Sequence, residues 1–405
     1  MVLLSIIAAM SFADLGIGNG LMNAISEAYG KDDRKLAREY VTSALALMLA
    51  IASVLAVAGA VAYPFLPWSR MLNVTSQAAA DEGAHAFLVL YASFILNIPL
   101  GVIVRAQSGL QKGYTAQIVT AASSILSLGV ILGVVWTRGS LVLLVSATVF
   151  ASILSTCVNG WILFRQHPWL VPAIHAFRAS SANKIFKLGL LFFVLQCAVT
   201  LAYTSDNIVI DQVLGVTAVA VYALPQKLFS FVSQVVSMTI NPLWPAYGEA
   251  IERGDIAWVR RVFVASLQLV VALTIPACTL LVVAAPWILK VALGKSFHAP
   301  LPLLIVLAVW CVVNAVSCVA SIFLNGAGVL KEQSAVAVVS SLANLALSIF
   351  FTRRFGVMGV CLGSTVTQLG IVFPFYSVVI PKQIRNMQRA NEGRLSLQPS
   401  GAYPL

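Results

Sequence analysis

Eleven apolar stretches, most of them long enough to cross a lipid bilayer, run through this chain of 405 residues. About 20 residues of helix, rising 1.5 Å per residue, cross the hydrocarbon core of a membrane, which is about 30 Å thick. Because lipid offers the backbone no hydrogen bonds, each stretch is predicted to be a helix. The predicted spans are 1–23, 41–66, 85–109, 115–136, 141–164, 186–210, 214–243, 262–289, 300–324, 333–352 and 356–380.

The overall composition agrees with a membrane protein. The chain is 60% hydrophobic and 10% charged, whereas soluble domains are about 45–50% apolar and about 25% charged. The apolar residues do not show the strict alternation of an outer-membrane barrel. The fold class is therefore predicted to be all-α, as a polytopic membrane protein.

Two segments of the chain occur twice. The residues AYG at 28–30 open a charged loop, and AYG at 246–248 does the same 218 positions later. GLQK ending at Lys112 and GVLK ending at Lys331 lie 219 positions apart. Repetition on this scale in an apolar chain predicts a transporter of two structural repeats with its substrate path between them. We predict an N-terminal repeat at 1–164, a linker at 165–185, a C-terminal repeat at 186–381 and a tail at 382–405.

The repeat also predicts a helix ahead of the first span. Subtracting 218 from the span 186–210 gives positions before Met1, so the first repeat holds five predicted helices and the second holds six. We therefore expect a parent architecture of two six-helix repeats, of which the first helix is missing here. The alternative is a native protein of eleven helices.

Positive charge is distributed unequally between the two sets of loops. The loops that contain the AYG, GLQK and GVLK segments, together with residues 165–187 and the tail, hold seventeen Lys and Arg residues, and the alternating loops hold six. Basic loops favour the cytoplasm, so these loops and the C-terminus are predicted to be cytoplasmic in a plasma (inner) membrane protein. Anionic lipid headgroups beside these loops account for the net charge of +11 without any nucleic acid.

The residues that carry catalysis or bind metals are scattered. The four His residues have no metal-like spacing, and the six Cys residues lie in apolar spans, where Cys usually packs as a small side chain. The sequence contains no Walker A motif and no extramembrane segment long enough for a catalytic domain. We predict no enzyme activity, no metal and no cofactor. Four GxxxG pairs, which begin at Gly16, Gly109, Gly129 and Gly359, are interpreted as helix packing within the chain.

Polar side chains inside the spans are the candidate substrate contacts, because such residues usually face a wet cavity. Arg105 and Asp206 have structural alternatives, as an arginine that extends to the headgroups and as an interfacial carboxylate. Asp14, ahead of Gly16, is interpreted as a hydrogen-bonding residue near a helix break. Asn314, Asn344 and Gln368 are further polar residues of the spans. The cavity candidates are Lys227, Arg105, Gln196, Asp206, Asn207 and Asn97.

Three segments resemble a known family. They are FADLGIGNGLMNAISEAYGKDDRKLAREYVTSAL from residue 12, SDNIVIDQVLGVTAVAVYALPQKL from residue 205 and NPLWPAYGEAIERGDIAWVRR from residue 241. They are similar to the second helix and following loop, the seventh and eighth helices, and the next loop of bacterial polysaccharide transporters. That family includes O-antigen flippases and belongs to the multidrug/oligosaccharidyl-lipid/polysaccharide (MOP) exporter superfamily. Compared with the family pattern, we expect the first helix to be missing from this sequence.

The resemblance implies a twelve-helix, two-lobed, MATE-like bundle. Its implied function is to flip undecaprenyl-diphosphate-linked oligosaccharide or polysaccharide repeat units across the plasma membrane by alternating access. Lys227 and Arg105 would pair with phosphates, while Asn, Gln and Asp206 would bind sugar hydroxyls. Implied partners are membrane lipids, H⁺ or Na⁺ as coupling ion, and glycosyltransferases or polymerases. The alternatives are a MATE-type drug or cation antiporter, a lipid II flippase of the same superfamily, and a membrane glycan polymerase or ligase.

Overall fold

The computed structural model describes residues 12–65, 76–137, 139–293 and 299–397, and every regular element in these ranges is helical. The chain divides into two compact units, at residues 1–193 and 194–405. Unit 1 contains α1 Ile17–Gly30, α2 Arg34–Ala62, α3 Gln77–Gly109, α4 Gly113–Trp136, α5 Leu141–Gln166 and the first part of α6 Ala179–Leu214.

Unit 2 begins within α6. Its further helices are α7 Val216–Ile240, α8 Leu243–Glu252, α9 Ile256–Leu293, α10 Leu301–Gly326, α11 Leu330–Phe355, α12 Gly359–Thr367 and α13 Phe373–Leu397. A π-helical turn, Gln368–Val372, joins α12 to α13. Such turns are frequently found at functional sites.

Within the described ranges, nine helical stretches are long and apolar enough to cross a membrane. They coincide with the predicted spans from 41–66 onward. One stretch, Val216–Glu252, contains both α7 and α8. Another, Leu330–Glu392, contains the last two predicted spans, 333–352 and 356–380. The first part of the predicted span 1–23 lies outside the described residues. The prediction of an all-α polytopic membrane protein is therefore confirmed.

Each unit is stabilised by apolar helix faces that pack against one another, as α1 illustrates. Ile17, Leu21 and Ile25 are fully buried and follow one another at intervals of four residues, which places them on one stripe of a helix. They form a core with α2 and α3. In unit 2, two corresponding cores form around Tyr222 and Phe229 and around Tyr247 and Phe323.

Glycines bring α1 close to the start of α6. A Cβ atom on Gly20 would lie 2.8 Å from the backbone oxygen of Ile185 and 2.9 Å from the backbone nitrogen of Gly189. By contrast, a Cβ atom on Gly129 or Gly133 in α4 would meet nothing within 4 Å. Close contacts also occur at Gly109, whose Cβ would lie 2.9 Å from Ile25, and at Gly363, whose Cβ would lie 2.7 Å from Ser348. The GxxxG interpretation therefore describes the pairs that begin at Gly16, Gly109 and Gly359, whereas the pair at Gly129 lies at no packing contact of the described residues.

The two units share two turns that identify their backbone register. Asp32 and Gly254, each after a short helix, both adopt left-handed φ angles of 53° and 78°, and they lie 222 positions apart. Gln111 and Gly328, which follow α3 and α10, have φ angles of 58° and 71° and lie 217 positions apart. The offset of 218 between the AYG copies therefore leaves their tyrosines about one helical turn out of register.

The shared turn after α1 and α8 is stabilised in the same way in both units. The side chains of Asp33 and Asp255 accept the backbone N–H groups of Leu36 and Trp258, which caps the next helix. One turn earlier, an (i, i+4) ion pair closes each short helix. These pairs are Lys31–Glu27 at 2.7 Å and Arg253–Glu249 at 2.8 Å.

Adding one methyl group at Gly20 is expected to destabilise unit 1. In the Gly20→Ala variant the new Cβ meets backbone atoms that cannot rotate away, and overpacking of this kind costs about 1–3 kcal/mol. Gly129→Ala is the matched control and is expected to be neutral or slightly stabilising, because alanine favours a helix. Thermal unfolding of both variants in detergent measures the difference, and equal melting temperatures would contradict this packing.

Glu27 is expected to make stability depend on pH. Its carboxylate contacts Lys31 and Lys184, each at 2.7 Å. Burial raises the pKa of Glu27, but hydrogen bonds from Lys184 and Lys31 outweigh it and leave the pKa below its usual value. The ionised carboxylate is therefore more stable in the folded protein than in the unfolded chain. Its contribution to the free energy of unfolding is present above about pH 4.3 and is lost as the pH falls further.

The Glu27→Gln variant tests this dependence. We expect the free energy of unfolding of this variant to be lower by at most about 1 kcal/mol at pH 7. This difference is expected to shrink as the pH is lowered through the acid range. Unfolding by denaturant at a series of pH values measures the difference from the unsubstituted protein. A difference that stays constant with pH would show that the Glu27 ion pairs do not contribute.

Candidate functional site

Unit 1 contains an open cavity of about 210 Å³ between α1, α2 and α3. Two of the predicted candidates, Arg105 and Asn97, line it together because they lie eight residues apart, about two turns, on α3. The amide nitrogen of Asn97 donates to the backbone oxygen of Ser93 at 2.9 Å. The lining residues are Asp14, Gly18, Met48, Phe94, Asn97, Ile98, Gly101 and Arg105.

Asp14 enters this cavity from the turn that precedes α1. Leu15 and Gly16, just ahead of α1, have φ angles of 49° and 70°, a conformation that disfavours leucine. The Oδ1 atom of Asp14 accepts the N–H of Gly16 at 3.0 Å. This bond confirms the predicted hydrogen-bonding role of Asp14, and it holds the turn ahead of α1 in place.

Gly18 is the point on which the two charged side chains converge. A Cβ atom on Gly18 would lie 2.9 Å from Nε of Arg105 and 3.1 Å from Oδ2 of Asp14. The carboxylate is close enough to attract the guanidinium group electrostatically. Only the bare surface of a glycine leaves room for both groups here, a role that the sequence pattern did not indicate.

Unit 2 encloses a second cavity, of about 230 Å³, between α6, α10, α11 and the α12–α13 segment. Its polar lining comes almost entirely from hydroxyl and amide groups, with one carboxylate. The polar lining residues are Asp206, Asn314, Ser317, Ser321, Ser340, Ser341, Asn344, Ser364, Thr367, Gln368 and Tyr376.

Asp206 is the buried carboxylate of the unit 2 cavity. It is 4% exposed, and its Oδ2 atom accepts the hydroxyl of Tyr222 at 3.0 Å. Its Oδ1 atom has no hydrogen-bond partner among the described residues, and the same holds for the hydroxyl of Ser317. A buried carboxylate is costly unless it is paired, so this oxygen is available to a ligand.

Asn344 organises the neighbouring part of the unit 2 cavity. Its Oδ1 atom accepts the hydroxyl of Ser348 at 2.8 Å and that of Ser364 at 3.3 Å. Ser348 also lies 3.3 Å from the backbone oxygen of Val360. These bonds join α11 to α12 and fix the oxygen atoms that face the cavity. Gln368, the first residue of the π-helical turn, continues the lining.

The two cavities use the same face of equivalent helices. Asn97 and Asn314 lie 217 positions apart, as do Gly101 and Cys318, and all four residues line their own cavities. This is the offset of the turns that follow α3 and α10. At the same offset, Arg105 of unit 1 corresponds to Ile322 of unit 2. The unit 1 cavity therefore carries a cation that the unit 2 cavity replaces with an apolar side chain.

The remaining predicted candidates lie elsewhere. Lys227 is exposed on α7 and Gln196 is partly buried on α6, and neither lines the two cavities. Asn207 follows Asp206, and its side-chain oxygen is buried without a hydrogen-bond partner in the described part of the chain. A substrate role for these residues stays a prediction.

A third recess, of about 440 Å³, lies between α4 and α5 of unit 1. At the offset of 217, its Ser123 and Ser127 correspond to Ser340 and Asn344 of the unit 2 cavity. The same face of the equivalent helices α4 and α11 is therefore polar in both units. Its hydroxyl residues are Thr120, Ser123, Ser124, Ser127, Thr148, Ser152, Ser155 and Thr156.

Sequence reasoning did not find Tyr222 or the serines of the unit 2 cavity. Serine is common in apolar helices, where its hydroxyl can bond to the backbone of the preceding turn, so single serines carried no signal. The spacing of Ser340, Asn344 and Ser348 at intervals of four residues along α11 was the available signal, since it places all three on one helix face.

Comparisons with known proteins extend these observations. The model of the family described as "polysaccharide biosynthesis protein" matches residues 1–250, and no curated protein sequence matches the chain. An outward-facing multidrug resistance MATE transporter of the MOP superfamily superposes with a TM-score of 0.82 at 14% identity, covering 96% of this chain and 88% of that one.

Two further solved structures have the same fold. A MATE transporter in complex with MaD3S gives a TM-score of 0.81 at 15% identity, with 96% of this chain and 88% of that chain covered. A MOP superfamily transporter from Pyrococcus furiosus Vc1 (DSM3638), described as having a binding pocket of reversed polarity, gives 0.76 at 15% identity, with 98% and 87% covered. The chain belongs to the polysaccharide biosynthesis protein family and has the fold of the MATE transporters of the MOP superfamily.

Proposed function

We propose that this protein flips undecaprenyl-diphosphate-linked oligosaccharide or polysaccharide repeat units across the plasma membrane by alternating access. The observation that carries the proposal is the unit 1 cavity, where Arg105 and Asn97 face the same space within membrane-spanning helices. The family is named for polysaccharide biosynthesis, and its fold is that of transporters rather than of enzymes.

The chemistry of the unit 1 cavity suits a diphosphate headgroup. A guanidinium group stays charged and binds phosphate oxygens through two parallel hydrogen bonds, which are strong where water is scarce. Asn97 supplies an amide group of the kind that binds sugar hydroxyls. Gln196, Asn207 and Lys227 lie outside this cavity, and we propose contacts to sugar hydroxyls for the two amides and to phosphate for the lysine at another stage of transport. The polyprenyl tail stays in lipid.

The unit 2 cavity suits the coupling ion. Asp206 offers a carboxylate oxygen without a hydrogen-bond partner in the described structure, and Asn314, Ser317, Asn344 and Ser364 contribute uncharged oxygens around the same space. Hard cations such as Na⁺ take oxygen ligands, and a buried carboxylate can equally carry H⁺. We propose that H⁺ or Na⁺ binds at Asp206 and supplies the energy for transport.

One observation favours a second function, MATE-type drug or cation antiport. The unit 2 cavity contains a carboxylate and no basic residue among those that line it, an arrangement that suits a cationic substrate. The unit 1 cavity argues for the flippase, because its arginine suits an anion. No observation on the described residues favours the third alternative, a membrane glycan polymerase or ligase.

We further propose that the protein lies in the plasma membrane and works with enzymes of a surface-glycan pathway. Lipid-linked glycans are made at the inner face of the plasma membrane, where the basic loops and the C-terminus would lie. Glycosyltransferases and polymerases of a surface-glycan pathway would then supply the substrate and use the product.

Neutralising Arg105 is expected to lower flipping without lowering membrane insertion. Loss of one charge-assisted contact to phosphate costs about 1.5–3 kcal/mol, or roughly a tenfold or larger loss of rate at limiting substrate. The measurement uses proteoliposomes that contain a fluorescent polyprenyl-diphosphate oligosaccharide, with a membrane-impermeant quencher reporting the outer leaflet. Arg353→Gln, at an exposed position on α11, is the matched control.

Each result of this assay has a clear meaning. Slow flipping by Arg105→Gln beside normal flipping by Arg353→Gln would support the proposal. Normal flipping by Arg105→Gln at normal abundance would remove that residue from the mechanism. Efflux of a cationic dye, together with no flipping by the unsubstituted protein, would favour the antiporter instead.

Replacing Asp206 with asparagine is expected to uncouple transport from the cation gradient. The amide keeps the shape and can accept the hydroxyl of Tyr222, but it carries no charge for H⁺ or Na⁺. We expect imposed Na⁺ and pH gradients to accelerate flipping by the unsubstituted protein and to have little effect on Asp206→Asn. Asp211→Asn, near the end of α6, provides the control. An unchanged response of Asp206→Asn to both gradients would contradict ion binding at this residue.

A further inference from the structure

We propose that Asp14 is the resident counter-ion of Arg105, and that an anionic headgroup entering the unit 1 cavity must displace it. This inference rests on the proposed function, because it assumes that a phosphate binds Arg105. It deepens that function by naming the residue that limits affinity for the phosphate and releases it again.

The two oxygens of Asp14 have different surroundings. Oδ1 accepts the N–H of Gly16 at 3.0 Å and so belongs to the backbone turn. Oδ2 points to the bare surface of Gly18, the same point that Nε of Arg105 approaches to 2.9 Å. One oxygen of Asp14 therefore holds the turn ahead of α1, and the other lies beside the same glycine as the guanidinium group.

The rest of the cavity leaves Arg105 no alternative acidic partner. Among the lining residues, Asp14 and Arg105 are the charged ones, and Met48, Phe94 and Ile98 are apolar. Other carboxylates of unit 1 are engaged elsewhere: Glu27 pairs with Lys31 and Lys184, Glu39 lies 3.9 Å from Arg178, and Asp33 caps α2. They do not line this cavity.

Binding of a diphosphate is then an exchange of anions on one arginine. The incoming phosphate gains the guanidinium group only by weakening its attraction to Asp14, and it also meets the repulsion of that carboxylate. Both effects reduce affinity. A transporter that must release its substrate on the far side of the membrane benefits from such a reduction, because a headgroup held too firmly would not leave.

The Asp14→Asn variant separates this role from a structural one. Asparagine can accept the N–H of Gly16 through its own Oδ1 atom, and it is as good a capping residue as aspartate, so the helix break is preserved. The substitution removes only the competing charge. A residue that merely supports the fold would lose affinity when replaced, whereas a competing counter-ion predicts a gain.

The experiment measures equilibrium binding of farnesyl diphosphate to the full chain in nanodiscs at constant ionic strength. We expect Asp14→Asn to bind about tenfold more tightly than the unsubstituted protein, which corresponds to 1.4 kcal/mol, and Arg105→Gln to bind more weakly. In the double variant Asp14→Asn/Arg105→Gln the gain is expected to disappear. Asp33→Asn, the same chemical change at the cap of α2, is expected to leave binding unchanged.

The outcomes distinguish this inference from the proposed function. If Arg105→Gln weakens binding while Asp14→Asn binds no better than the unsubstituted protein, the counter-ion role is overturned and the phosphate site stands. If Arg105→Gln binds as well as the unsubstituted protein, the phosphate site itself is overturned. Binding detectable only in Asp14→Asn would support the counter-ion role, and binding by none of the variants would overturn both. Thermal unfolding of each variant confirms that it is folded.

Discussion

The absence of water from the bilayer core is the constraint on which this structure depends. It forces the spans to be helices, because each backbone N–H and C=O must find its partner within its own segment. It also gives weight to the few polar side chains at that depth, since each must be paired or face a cavity. Arg105 meets the requirement by facing the unit 1 cavity, whose lining also contains Asp14. Asp206 meets it by accepting the hydroxyl of Tyr222 beside the unit 2 cavity.

Much of the fold could be predicted because hydropathy is a local signal. The spans are visible in the sequence, and the placement of Asn97 beside Arg105 follows from two turns of one helix. The hydrogen bond of Asp14 was also predictable, since Asp ahead of glycines is typical of a helix break. The pairing of Tyr222 with Asp206 was not predictable, because it joins two helices across a connection. The role of Gly18 was equally hidden, because it depends on which side chains approach from elsewhere.

The exact register of the internal repeat could not be predicted from the sequence either. Identical residues align the AYG segments, whereas the backbone turns align Asp32 with Gly254 and Gln111 with Gly328. Turn geometry fixes these positions, because a left-handed residue is required to end one helix and begin the next. At the resulting offset, a single position, Arg105 against Ile322, distinguishes the charges of two otherwise similar helix faces. In the function proposed here, this difference lets one cavity bind an anion and the other a cation.

The unequal offsets of the two turns describe where this duplicated fold has changed in length. The turns before α2 and α9 lie 222 positions apart and those after α3 and α10 lie 217 apart, so the intervening segment is five residues longer in unit 1. Helices α2 and α3 match α9 and α10 in order but not in length, because α9 is nine residues longer than α2 and α3 is seven residues longer than α10. The segment between the paired turns has therefore changed in length while the turns kept their geometry. The two turns, rather than the helices between them, are consequently the conserved reference points of this duplicated fold.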